Sequence, residues 1–216
     1  MKLIFFGAQG VGKGTLAQML SEKYGIPTLS TGQVLREAIE AGTELGKTAE
    51  KYINEGNLVP PDVAAGIVNE AVKTDKFKDG YILDGFPRNL KQTELFEEMD
   101  QIDAVVVLTA PYELSIKRLT NRRTCDKCGA IYNIHPDLAP HPKFEGKCDK
   151  CGGELIQRDD DTPEAIQKRL DIYHEETEPI LTKYKDKIVE VDATSTPEGN
   201  LQRVIDALKE KDLTFS

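Results

Sequence analysis

The sequence predicts an α/β fold, a three-layer sandwich on a five-stranded parallel sheet, carrying one helical insertion and one cysteine-bearing insertion. Three observations predict it. Short β-rich apolar runs alternate with segments of helical spacing, the pattern of a mostly parallel sheet covered on both faces. The first run leads straight into a glycine-rich loop with a single lysine, Gly7-Ala-Gln-Gly-Val-Gly-Lys13. Two stretches then break the alternation: residues 31–73 carry a helical pattern with few strand signals, and in residues 123–161 both periods vanish while glycine, proline, cysteine and charge take over.

The strands are expected at Leu3–Phe6, Thr28–Leu29, Tyr81–Leu83, Ala104–Thr109 and Ile188–Val191. Between them, Leu16, Leu20 and Tyr24 recur every fourth residue after the glycine loop. Ile166 and Leu170, followed by Tyr173, form a second stripe, and Leu201, Val204, Ile205 and Leu208 a third. Each reads as a core-facing helix surface. Pro60-Pro61 punctuates the first insertion. The expected organisation is a core of residues 1–30, 74–122 and 162–216, with insertions at 31–73 and 123–161, and without internal repeats or low-complexity runs.

A chain of 216 residues can bury a full core. Its 28 basic and 37 acidic residues give a net charge of −9, which argues against a general polyanion-binding surface, so no nucleic-acid partner is expected and any arginine cluster needs a local explanation. No stretch approaches the roughly 20 apolar residues of a membrane span. The first strand enters the glycine loop rather than a leader cleavage site. A cytoplasmic protein without a membrane partner is expected.

The cysteines fall as Cys125-x-x-Cys128 and Cys148-x-x-Cys151, each pair followed by glycine. Two such knuckles supply four thiolates for a closed, tetrahedral, structural Zn²⁺ site, with no ligand position left for catalysis. Disulfides, which need an oxidising compartment, and a set of free thiols are the alternatives. A short segment with little apolar core needs a clamp of this kind to fold. His135 and His141, in the interval between the pairs, are read as surface residues.

Gly7-x-x-x-x-Gly12-Lys13, between a strand and a helix, matches a phosphate-binding loop: backbone N–H groups point inward and the helix N-terminus adds positive potential. Gly10, Gly12 and Gly14 keep side chains out of that approach. Lys13 supplies a point charge for β- and γ-phosphates.

The general pattern has Ser or Thr directly after the lysine, whereas here Gly14 intervenes before Thr15. The form G-x-x-G-x-G-K-G-T resembles the loop of nucleoside monophosphate kinases, adenylate kinases above all, and no guanine-reading N-K-x-D occurs. The resemblance extends over nearly the whole chain, in family order: Thr31-Gly32 with Arg36, Asp84-Gly-Phe-Pro-Arg88, Arg122-Arg123, the cysteine pairs, Arg158-Asp-Asp-Asp161 and Lys168-Arg-Leu170. It implies Mg²⁺-dependent, reversible phosphoryl transfer between ATP and AMP, giving two ADP, in a monomer. Residues 31–73 become the monophosphate-binding insertion and 123–161 a zinc lid.

Carried over residue by residue, the resemblance assigns ATP to Gly10, Gly12, Lys13, Gly14, Thr15, Arg118 and Arg122, with Arg118 stacked on the adenine. AMP falls to Thr31, Arg36, Gly85, Arg88, Gln92, Arg158 and Arg169, with Gln92 reading the base edge. Lys13, Arg88, Arg122, Arg158 and Arg169 would meet the transferring group and Asp84 would orient Mg²⁺ through its waters. No general base is needed, because positioned cations and exclusion of water do most of the work. Arg118 and Arg122, four apart, are expected to share a helix face. The run Asp159–Asp161 should pair with hinge arginines or lie solvated on the surface, and the loop at 192–197 should touch the ATP base. The chain departs from the family in carrying Gln33 where an aspartate is usual. The alternatives are a UMP/CMP-like or promiscuous nucleoside monophosphate kinase and, in another class, a zinc-ribbon ATPase that binds nucleic acid.

Overall fold

The computed structural model describes residues 1–54, 59–158 and 161–215, except the side chains of Arg36, Ile53 and Asn54. Strand β1 (Lys2–Phe6) runs into the glycine loop and helix α1 (Lys13–Tyr24), and β2 (Thr28–Ser30) follows. Three helices come next, α2 (Thr31–Glu40), α3 (Glu44–Asn54) and α4 (Pro61–Val72). The second proline of Pro60-Pro61 takes the first position of α4, where its missing N–H costs nothing. The chain continues through β3 (Tyr81–Asp84), α5 (Leu90–Glu97), β4 (Ala104–Thr109) and α6 (Tyr112–Thr120).

A small sheet of β5 (Arg122–Cys125), β6 (Ile131–Asn133) and β7 (Leu155–Ile156) precedes α7 (Pro163–Ile172). That helix passes into one π-helical turn, Tyr173–Thr177, and then a 3₁₀ segment, Glu178–Lys183. Strand β8 (Ile188–Asp192) and helix α8 (Pro197–Lys209) complete the order.

The main sheet has five parallel strands in the order β2-β3-β1-β4-β8, so the strand that feeds the glycine loop is central. All five lie where the apolar runs predict them. One face packs Leu3, Phe5, Val106 and Leu108 against Leu16 and Leu20 of α1 and Leu201, Val204, Ile205 and Leu208 of α8. The other packs Ile4, Phe6, Leu83 and Val105 against Val68, Phe86, Phe96, Tyr173 and Ile180. At the N-terminal edge, Asp100 accepts from Lys2 Nζ at 2.6 Å and from the Tyr81 hydroxyl at 2.7 Å, pinning β1 to β3.

Two expectations are corrected. Residues 123–161 are not irregular throughout: β5 pairs antiparallel with both β6 and β7, over a small cluster of Cys125, Ala130, Tyr132, Cys148 and Leu155. Arg118 and Arg122 do not share a helix face. Helix α6 stops at Thr120, where Asn121 turns its amide back to Lys117 O at 2.9 Å and gives its own carbonyl to Ile134 N at 3.0 Å, so Arg122 opens β5 instead.

Candidate active site

The loops at the C-terminal edge of a parallel sheet are where such folds bind ligands. Here that edge gathers the glycine loop after β1, Thr31 after β2, Asp84 and Gly85 at the end of β3, and Ala193 after β8. The glycine loop is shaped by contacts on its outer side. A Cβ on Gly7 would lie 2.5 Å from Leu108 O, and one on Gly10 2.5 Å from Ser115 O, so both glycines let the loop seat against β4 and α6. Gly12, at φ +108°, faces open space and begins α1 with no side chain over its free N–H groups.

Lys13 curls back into this loop, donating to Gly7 O at 2.7 Å and Ala8 O at 2.9 Å. Burial pulls its pKa down to about 8; Asp84 opposes that fall, while Arg88 and Arg122 add to it. Arg88 is exposed, yet protein crowds it closely enough that desolvation lowers its pKa, against the pull of Asp84 and together with Arg169. Lys13, Asp84, Arg88, Arg122 and Arg169 therefore form one electrostatic cluster, with Asp84 the carboxylate that acts on both Lys13 and Arg88. Gly14 stands directly beside that carboxylate, since a Cβ there would lie 3.1 Å from Asp84 Oδ2.

The arginines are held by named partners. Arg122 donates Nε to Asp161 Oδ2 at 2.8 Å and Nη2 to Oδ1 at 2.5 Å, and Arg169 Nη2 reaches the same Oδ1 at 3.1 Å. Asp161, buried at the junction of the small sheet and α7, thus sets two guanidiniums side by side. Asp159 and Asp160 lie outside the described residues. Arg158 donates to Thr124 Oγ1 at 2.9 Å, on the strand that carries Arg122.

Arg118 is drawn elsewhere, bridging Val11 O at 3.1 Å and Ala193 O at 2.9 Å. It ties the glycine loop to the loop after β8, and desolvation lowers its pKa. The post-β8 loop is itself organised by Asn200, whose amide donates to Ala193 O at 3.1 Å and Ser195 O at 3.0 Å while its Oδ1 accepts from Ser195 N at 3.0 Å.

Thr31, Gly85, Arg88 and Gln92 lie close together. Thr31, buried, donates to Asp84 O at 3.3 Å, and a Cβ on Gly85 would meet Arg88 Nη2 at 3.3 Å and Thr31 Oγ1 at 3.9 Å. Gln92 is buried, and its Oε1 accepts from Arg88 N at 2.7 Å. Arg36 lies on α2, and its side chain is outside the described residues. Gln33 points away along the surface of α2 to Glu37 Oε1 at 2.8 Å.

The chain matches one known group of proteins over nearly its whole length. The family model for adenylate kinase matches residues 5–189. The chain is 50% identical to an adenylate kinase of Archaeoglobus fulgidus, with 98% of this chain and 99% of that one covered. It is 46% identical to one of Thermodesulfovibrio yellowstonii, over 96% and 97% of the two chains, and 43% identical to one of Caldicellulosiruptor saccharolyticus, over 92% and 93%. The chain belongs to the adenylate kinase family. The reaction of that family is ATP + AMP = 2 ADP, with Mg²⁺ accompanying ATP. The enzyme is thus a phosphotransferase that binds both adenine nucleotides.

The cysteine segment forms a compact sulfur cluster. The four Sγ atoms lie within 4.8 Å of one another, with Cys125 to Cys151 at 3.4 Å and Cys128 to Cys148 at 3.6 Å. These separations are far beyond the ~2.05 Å of a disulfide. They approach the edge of a tetrahedron around an ion with bonds of about 2.3 Å to sulfur. Gly129 and Gly152, at φ +71° and +70°, close the two knuckle turns by donating to Cys125 O and Cys148 O. The donor set fits Zn²⁺. His135 does not join it: its ring accepts from Asp137 N at 3.2 Å.

The resemblance did not supply Thr124 or Asn200, which hold groups named above, or Thr177, whose hydroxyl donates to Arg88 O at 2.8 Å. Only Asn200 had a signal in the sequence, as a polar residue inside the apolar stripe of α8.

Proposed function

We propose that this adenylate kinase transfers the terminal phosphoryl group of ATP to AMP in the crevice between the glycine loop, the Asp84–Gln92 turn and the arginines of β5 and α7. The observation that carries the assignment of roles is the single cluster of Lys13, Asp84, Arg88, Arg122 and Arg169. Charge spreads over the equatorial oxygens of the moving group in the transition state, and a preorganised set of cations stabilises it with little reorganisation.

In this reading the backbone of Gly10, Gly12 and Gly14, with Thr15 and the Lys13 ammonium, binds the ATP phosphates. Arg118 and the loop after β8 flank the ATP base, and Arg122 faces the transferring group. Arg88, with Arg36, Arg158 and Arg169, holds the AMP phosphate and lines it up for attack. Thr31, Gly85 and Gln92 form the AMP base pocket. Because Gln92 gives its Oε1 to Arg88 N, its NH₂ is the group left to meet an acceptor on the base, as adenine N1 offers. Asp84 would hold Mg²⁺ through water, and the ion would neutralise phosphate charge there.

Residues 31–73 act as the monophosphate-binding insertion, residues 123–161 as a lid that excludes water on closing, and the remainder as the core. The four thiolates of Cys125, Cys128, Cys148 and Cys151 would hold a structural Zn²⁺ that clamps this lid. No described helix is long and apolar enough to cross a membrane, and we assign the enzyme to the cytoplasm as a monomer. A coupled assay with AMP, CMP, UMP and GMP as acceptors tests the reading. AMP should give the highest kcat/KM, and preference for a pyrimidine monophosphate would overturn the assignment of Gln92.

A further inference from the structure

The turn that carries Arg88 is tied at more points than its own sequence supplies. Within the turn, Arg88 N donates to Gln92 Oε1 at 2.7 Å and Arg88 Nε donates to Gly85 O at 2.8 Å. The remaining main-chain group, Arg88 O, accepts from the hydroxyl of Thr177 at 2.8 Å, across a separation of 89 residues. Thr177 closes the π-helical turn Tyr173–Thr177, which directly continues the helix bearing Arg169.

Such turns insert a residue relative to an α-helix and change which way the following side chain faces; they occur often at functional sites. Here the turn is firmly seated. Tyr173 and Ile180, on either side of Thr177, are buried in the same cluster as Phe86, and His174 spans the turn to Glu178 at 2.8 Å.

We propose that Thr177 is a positioning residue for phosphoryl transfer: its hydroxyl fixes the Arg88 peptide and so sets Arg88 in register with Arg169 across the acceptor phosphate. The inference rests on the role assigned to Arg88 above. A guanidinium sits at the end of a long side chain, so a small rotation of the peptide at its base displaces the charged end by much more, and misplacements on the order of 1 Å are costly in a transfer site. The hydrogen bond is solvent-accessible, so it serves geometry more than stability.

The test compares Thr177→Val, which keeps the shape and removes the donor, with Thr177→Ser, which keeps the donor. Thr177→Val should raise the KM for AMP and lower kcat, each about three- to tenfold as one hydrogen bond allows, with the KM for ATP and the melting temperature unchanged. Thr177→Ser should restore both to within about twofold of the parent. Thr177→Val in an Arg88→Ala background should add nothing to the KM for AMP.

Unchanged kinetics in Thr177→Val overturn the proposal, as does an equal rise in both KM values with a fall in melting temperature, which marks a general structural role. An Arg88→Ala enzyme that keeps the parent KM for AMP overturns the reading of Arg88 itself and takes the proposal with it. That result is distinct from failure of Thr177 alone.

Discussion

Arg122 and Asp161 form a two-point ion pair, Nε to Oδ2 at 2.8 Å and Nη2 to Oδ1 at 2.5 Å, with the carboxylate fully buried. Arg169 Nη2 also reaches Oδ1 at 3.1 Å, so one buried aspartate touches both guanidiniums. Asp161→Asn should remove the carboxylate that Arg122 engages through both Nε and Nη2. Removing one partner of a buried pair costs on the order of 3 kcal/mol, and the free enzyme should melt correspondingly lower. Nucleotide phosphates would then supply the counter-charge that Arg122 has lost, so the rise in melting temperature on adding ATP and AMP should exceed that of the parent. A free variant as stable as the parent contradicts this account of Asp161.

Lys13 predicts a pH dependence of ATP affinity. Burial brings its pKa from 10.5 down to about 8 in the free protein, so the ammonium is lost from there upward, whereas bound phosphates require it. Above pH 8 the nucleotide phosphates are fully ionised, and the apparent Kd for ATP should rise up to about tenfold per pH unit. The sign for folding is opposite. Between about 8 and 10.5 the unfolded chain binds the extra proton, so this group makes stability rise with pH. Calorimetric titrations from pH 7 to 9.5 check the first statement, and a flat Kd contradicts it.

The cysteine segment predicts a metal dependence separate from chemistry. Cys125→Ser removes a buried member of the sulfur cluster and should lose zinc by elemental analysis. Its melting temperature should fall by more than its rate of phosphoryl transfer, because no thiolate is needed at the reacting group. Equal zinc content in variant and parent removes the claim.

The same segment touches the core through Lys150, whose Nζ lies 2.7 Å from Glu22 Oε1 on α1, and this hydrogen bond lowers the Glu22 pKa. Both side chains are well exposed, and such pairs are worth at most about 1 kcal/mol, or roughly fivefold in an open–closed equilibrium. If reopening limits turnover, Glu22→Gln should raise kcat by up to that factor at low salt, and the gain should vanish at high ionic strength. A kcat for Glu22→Gln equal to that of the parent at both salt concentrations contradicts a role for the Lys150–Glu22 pair in holding the lid closed.

Much of this molecule can be read from its residues, for identifiable reasons. Strands such as Ala104–Thr109 are buried on both faces and so read as continuous apolar runs. The glycine loop is legible because its backbone geometry tolerates so few residue types. Strands β5, β6 and β7 are illegible because they are four residues or fewer and pack on cysteines rather than an apolar layer. Helical spacing carries Arg122 past the end of α6, since nothing in the local pattern reveals that Asn121 will bond back to Lys117. Asp161 reads as one of three like charges, and only the fold shows that it is buried. Thr177 owes its place to a π-helical turn, which leaves no periodic signal.

The most direct test of the whole account is a calorimetric titration with a bridged nucleotide, two adenosines joined through a chain of phosphates long enough to span both pockets. One molecule should bind per chain, displacing ATP and AMP together, and Arg88→Ala should weaken it sharply. Binding that displaces only one of the two nucleotides would contradict the single cation-lined crevice built around Lys13.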